Sequence, residues 1–212
     1  MSRFMRNLSH TQEYYLCAVN ENGKLKHDAI YAALLAGAVF ELFEHGFIEL
    51  KGDKKEWLVA AKPLLDEFAY LKPLYDFIAA QKKPMERISV AGFASNQQFD
   101  ELRTKIGASL AALDCAVALP TKNETRYVPK PEAVLGVIEK IRGELLEDGN
   151  ITEETLCLTV MLGESGIIHD YFSKVESETL KKRLKEARNS DAGKMMFEIF
   201  DFALWNGIFW LV

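Results

Sequence analysis

The stretch "LGESGIIHD", residues 162–170, gathers Glu164, Ser165, His169 and Asp170, the side-chain types a hydrolase uses as nucleophile, base and orienter. A serine nucleophile needs a base within hydrogen-bond reach, and the G-x-S-x-G elbow adds a strand-turn-helix setting that exposes its hydroxyl. The elbow spacing is absent here, and on a helix Ser165 and His169 stand one turn apart without that setting. Gly163 and Gly166 read instead as small residues that let helices approach, or as a break between two helices, with His169 and Asp170 facing water. His10, His27 and His45 are isolated, and no H-E-x-x-H or other metal spacing occurs. Cys17, Cys115 and Cys157 are odd in number, far apart and set among apolar neighbours, which predicts reduced, buried thiols. The expectation is a non-enzyme with no catalytic residue, no metal site and no cofactor; a hydrolase centred on Ser165 and His169 is the third reading.

Charge narrows the partners. The net charge of -5 gives no global field for nucleic acid or an anionic bilayer, so binding of either kind must come from a local patch. "KKRLKEAR", residues 181–188, sets five basic residues against one acidic one, yet "VESE" just before it and Glu186 within it favour a solvated face. Residues 28–60 have the outline of a winged helix-turn-helix. A recognition helix must offer basic and amide side chains, and "AIYAALLAGAVFELFEHG" has none, so nucleic acid is not expected as a partner.

The elements that position these residues are mostly helical. A first helix is predicted from Ser9 or Thr11 to the Asn-Glu-Asn-Gly turn at residues 20–23, and a second from an Asp28 cap to Gly46, apolar on nearly every face and therefore central. "FIEL" and "EWLVA" form a short hairpin around residues 51–55. Pro63 opens a helix that Pro73 divides; Asn96 caps another; "CAVAL" and "TRYVP" make a second hairpin around residues 120–124. Pro131 starts a helix that Gly149 ends, Thr152 caps the next, and residues 178–188 form a charged helix. The fold class is mainly α: one globular helical domain over residues 1–212 with two short β-hairpins.

The closing "ALWNGIFWLV" falls in a last predicted helix, residues 192–210, whose Met196, Ile199, Phe200, Ala203, Gly207 and Leu211 share one face. Only Lys194 stands there against Glu198 and Asp201, whereas a membrane-surface helix sets cations opposite its apolar face, so this stripe reads as core. No run reaches the roughly 20 apolar residues of a spanning helix, and the first residues lack an apolar signal region, so a cytoplasmic protein is expected.

"LSHTQEYYLCAVNENGKL", then "AALLAGAVFELFEHGFIEL", and later "LGVIEKIRGELLEDGNITEETLCLTVMLGESGIIHDYF" with "LKKRLKEA" resemble the Golgi phosphoprotein 3 family over nearly the whole chain, from Leu8 to about Ala187. The helix-hairpin block is the more specific part. Similarity begins almost at the first residue, which suggests the compact bacterial branch. The resemblance implies a non-enzymatic adaptor that binds phosphatidylinositol 4-phosphate on the cytosolic face of a membrane. In a hand alignment the family's pocket tryptophan falls at Lys26 and its first arginine at Leu35. Two later arginines fall at Arg103 and Ile106, with Lys105 adjacent. Lys26, Arg103 and Lys105 are therefore the expected head-group residues, suited to an anionic membrane lipid more generally. The resemblance also implies self-association through the hairpin at residues 115–128. The alternative is a protein-interaction or regulatory module that binds a protein partner without lipid affinity.

Overall fold

The computed structural model describes residues 8–27, 29–51, 57–81, 93, 97–147, 151–187 and 194. Among them are seven α-helices and two two-stranded antiparallel sheets, which is the mainly α class expected from the sequence.

Helix α1, His10–Ala18, starts at Ser9 through a reciprocal cap. The Ser9 hydroxyl accepts from the Gln12 amide (3.3 Å) and the Gln12 side chain accepts from the Ser9 amide (3.1 Å), which satisfies two donors the first turn would leave open. Every residue of α1 is buried, so it shares the centre of the fold with α2, Ala29–Glu44, rather than leaving that place to α2 alone. It packs against α2 and three later helices. Residues Ala33–Leu42 of α2 are all buried, which removes any face for a DNA groove. Gly37 is required there: a Cβ would lie 2.2 Å from the Met161 methyl of α6, Glu153–Glu164.

Gly46, at φ +66°, ends α2 in the left-handed conformation expected of it and turns the chain into β1, Ile48–Lys51. β2, Trp57–Ala60, pairs with it in the register Ile48 to Ala60 through Lys51 to Trp57. The helical segment expected from Pro63 starts only at Asp66, and it is divided beside Pro73 as expected. Leu65 is extended (ψ 154°), a 3-10 turn covers Asp66–Leu71, and α3, Lys72–Ala79, begins with Pro73 in its first turn, where no amide hydrogen is needed.

Helix α4, Gln97–Ala112, leads into β3, Ala116–Pro120, and β4, Thr125–Pro129. Gly107 of α4 lies so close to this hairpin that a Cβ would meet the Tyr127 ring at 2.5 Å. α5, Pro131–Ile141, runs on as a π turn through Leu146, and Thr152 caps α6 by accepting from the Thr155 amide at 3.3 Å. Gly166 (φ +77°) breaks the chain between α6 and a 3-10 turn at Ile167–Asp170, so the helix-break reading of the small residues holds.

The charged helix is longer than expected. α7 spans Lys174–Ala187 because Ser173 and Glu176 exchange amide hydrogen bonds of 2.8 and 3.3 Å at its start, placing part of "VESE" in the first turn where carboxylates favour a helix. The Asp28, Asn96 and Gly149 signals, residues 52–55 of the first hairpin's turn, and the last predicted helix at 192–210 apart from Lys194 lie outside the described residues.

Candidate functional site

Lys26 follows the turn at residues 20–23, after a bridge between Val19 and Leu25 returns the chain to the end of α1. Its ammonium donates to Asp170 Oδ2 at 2.7 Å and to Tyr171 Oη at 3.1 Å, and stands 4.7 Å from the Tyr171 ring centre. Tyr171 in turn donates to the Cys17 carbonyl at 2.7 Å. Burial pulls the Lys26 pKa down, but hydrogen bonds to Asp170 and Tyr171 outweigh it and the net direction is up.

Arg103 projects from α4 toward the tip of the second hairpin. Its Nη2 donates to Glu124 Oε2 at 2.7 Å and, more weakly, to Asp100 at 3.4 Å. The other Glu124 oxygen accepts from Arg126 Nε at 2.6 Å, so two guanidiniums converge on one carboxylate. Thr121 fixes that tip: its hydroxyl donates to the Glu124 carbonyl (2.7 Å) and accepts from the Glu124 amide (3.2 Å). The Arg126 hydrogen bond is the main force holding the Glu124 pKa below the usual carboxylate value, with Arg103 adding to it. Lys105 lies two residues from Arg103 and therefore on another side of the helix. It is half-buried, and its ammonium stands 3.7 Å from Glu101. Leu35 and Ile106, where the family's other arginines align, are fully buried core. Arg126 shares the Glu124 carboxylate with Arg103, a convergence that the alignment of the family's arginines does not point to.

A second feature lies at the opposite end of α1. A cavity of about 810 Å³ is lined by the buried His10, Glu13, Glu41 and Tyr70, the half-buried Ser9, and the exposed Glu44, Glu67, Glu132 and Glu154. Tyr70 donates to Glu41 Oε1 and lies 3.2 Å from Ser9 Oγ. Lys140 forks onto Glu13 with contacts of 3.1 and 3.0 Å. Burial nevertheless pushes the Glu13 pKa up, and burial also raises Glu44, with Glu154 and Glu153 adding repulsion.

Ser165 and His169 are not brought together as a nucleophile and base. The Ser165 hydroxyl is buried and donates to the Met161 carbonyl one turn back at 2.7 Å, while His169 Nδ1 faces Ser177 Oγ at 3.3 Å. All three cysteines are buried and form no disulfide, and among the described residues no group of His, Cys, Asp or Glu is arranged to hold a metal ion.

The family model of Golgi phosphoprotein 3 (GPP34) matches residues 11–200. The chain belongs to the Golgi phosphoprotein 3 family. No curated protein matches it. The family is of adaptor type and non-enzymatic as a class, and no helix among the described residues is long and apolar enough to cross a membrane. Within this Golgi phosphoprotein 3 fold the sequence pointed to Arg103 and Lys26 but missed the cavity. Its signal was present in the Ser9–Gln12 cap and in Glu41, a carboxylate inside an otherwise apolar helix, where a charge is rarely tolerated without purpose.

Proposed function

We propose that this protein is a non-enzymatic adaptor that engages an anionic, phosphoinositide-like head group on the cytosolic face of a membrane through Arg103 and Arg126, with Lys26 and Lys105 as outlying cations. The observation that carries this reading is the shared carboxylate: two guanidiniums already hold an anion, Glu124, in charge-assisted bonds of 2.6 and 2.7 Å. A phosphate monoester offers the same acceptors with more charge, and arginine forks suit it. Glu124 then acts as a competitor that the head group must displace. Family membership supports the adaptor role.

Co-sedimentation with vesicles containing phosphatidylinositol 4-phosphate, against phosphatidylcholine alone, tests it at about 0.15 M salt, where exposed charges are screened beyond about 8 Å. Binding to the anionic vesicles that Arg103→Ala and Arg126→Ala each weaken supports the reading. Failure to co-sediment at any lipid composition defeats it.

A second reading, association through a protein surface, is favoured by Val117 and Leu119. These alternate residues of β3 share one face and are 54% and 40% exposed. Self-association of the hairpin at residues 115–128 would cover them. Sedimentation of a Val117→Lys variant checks this: an unchanged mass in a protein that is oligomeric as wild type removes the hairpin from the interface.

A further inference from the structure

Arg126 touches a second element besides its own hairpin. Gly23, at φ +69° in the turn after α1, comes so close to β4 that a Cβ there would lie 2.6 Å from Arg126 Cβ and 3.4 Å from the Tyr127 amide nitrogen. Glycine alone combines that backbone conformation with that approach. The turn is held in shape from within. Asn20 Oδ1 accepts from the Asn22 and Lys24 amides at 2.9 and 3.1 Å, the Asn20 amide donates to the Lys24 carbonyl at 2.9 Å, and the bridge between Val19 and Leu25 closes the base. A braced turn seated on β4 therefore fixes the backbone of the next residue, Lys24, beside the arginines.

Lys24 differs from the other cations there. It is exposed, and among the described residues its ammonium has neither a carboxylate nor a hydrogen-bond partner. Arg103 and Arg126 are held by Glu124, Lys26 by Asp170, and Lys105 stands near Glu101. Glu21, the acid of the same turn, accepts instead from Asn22 Nδ2 at 3.1 Å. A paired cation must release its carboxylate before it takes a phosphate, whereas an exposed, unpaired ammonium on a flexible stem gives up only water.

We infer that Lys24 makes the first contact with an anionic lipid head group, from a turn that Gly23 seats against β4, and that Arg126 and Arg103 then exchange Glu124 for the same head group. This inference rests on the head-group reading. It adds a binding residue outside the aligned pocket positions, which fall at Lys26, Leu35, Arg103 and Ile106.

Co-sedimentation with vesicles containing phosphatidylinositol 4-phosphate, at about 0.15 M salt, tests it. Lys24→Ala should weaken binding about fivefold, the reach of one cation beside an anionic bilayer. Lys182→Ala removes the same charge from α7, where Lys182 is likewise exposed and without a carboxylate partner among the described residues, and should leave binding unchanged. Gly23→Ala keeps every charge but pushes the turn off β4, so binding should fall in the folded protein as well. If Gly23→Ala does not fold, the two lysine variants decide. Undiminished binding by Lys24→Ala, an equal loss in Lys182→Ala, or a folded Gly23→Ala that binds like wild type overturns the inference. Each of these leaves the head-group reading standing where Arg103→Ala still weakens binding, while a wild-type protein that binds no vesicle defeats both.

Discussion

The hairpin face and the acidic cavity handle charge in opposite ways. At the hairpin, Glu124 sits between two arginines and its pKa is pushed below 4.5; at the cavity, burial outweighs Lys140 and raises the Glu13 pKa above that value. One region satisfies its charges with its own residues, while the other leaves Glu41 Oε2 without a donor. The difference teaches that a satisfied charge cluster binds only by displacement, whereas a buried, unsatisfied one is a cost the fold itself carries.

The sharpest way to break the comparison is Tyr70→Phe. It leaves both Glu41 oxygens without a hydrogen bond, so urea unfolding should show a loss of about 3 kcal/mol, and an unchanged midpoint would mean that the Tyr70 hydroxyl does not help to hold Glu41 in the fold. Gly107→Val acts on the other region. The new methyls meet the Tyr127 ring, so a loss of about 2 kcal/mol is expected, with weaker vesicle binding. An unchanged stability would show that the hairpin can move off α4 without cost.

Glu124→Gln sharpens the contrast further. Removing the competing carboxylate should raise affinity for anionic vesicles by up to about fivefold, the upper reach of a partly exposed ion pair near 1 kcal/mol. A fall in affinity would show that Glu124 orders the arginines rather than blocking them. The smallest effect is in pH. Glu124, with its folded pKa lowered, contributes stability present above its unfolded value near 4.5 and lost as pH falls through the folded value below that. Glu13 and Glu44, with folded pKa values raised, carry a penalty at neutral pH that is relieved as pH falls toward 4.5. Carboxyl NMR titration should therefore place Glu13 and Glu44 above 4.5 and Glu124 below it; the reverse order would erase the distinction.

Much of the fold was legible because local chemistry decides it. The Ser9 and Thr152 caps, Gly46 after α2 and Pro131 at the start of α5 satisfy or omit backbone donors within one turn, so sequence neighbours suffice. Pro63 misled because a proline permits a helix start without requiring one, and the chain toward Leu65 is extended instead. The length of α7 was misjudged because Glu176 looked like a solvated acid and is the partner of Ser173 in the helix cap.

The site was less legible. Its cations were visible as residue types, but which carboxylate each one meets depends on positions far along the chain: Lys26 with Asp170, and Arg103 with Glu124. By itself the sequence determined the helical class, the two hairpins, the buried thiols and the family, since each rests on periodicity, turn chemistry or extended similarity. Only the tertiary structure decided that Arg126 stands beside Arg103 and that Ser165 turns away from His169. It also decided that Glu41 lies fully buried with one oxygen unserved. Convergence of side chains is set by how helices pack, and packing joins residues whose separation in sequence carries no signal.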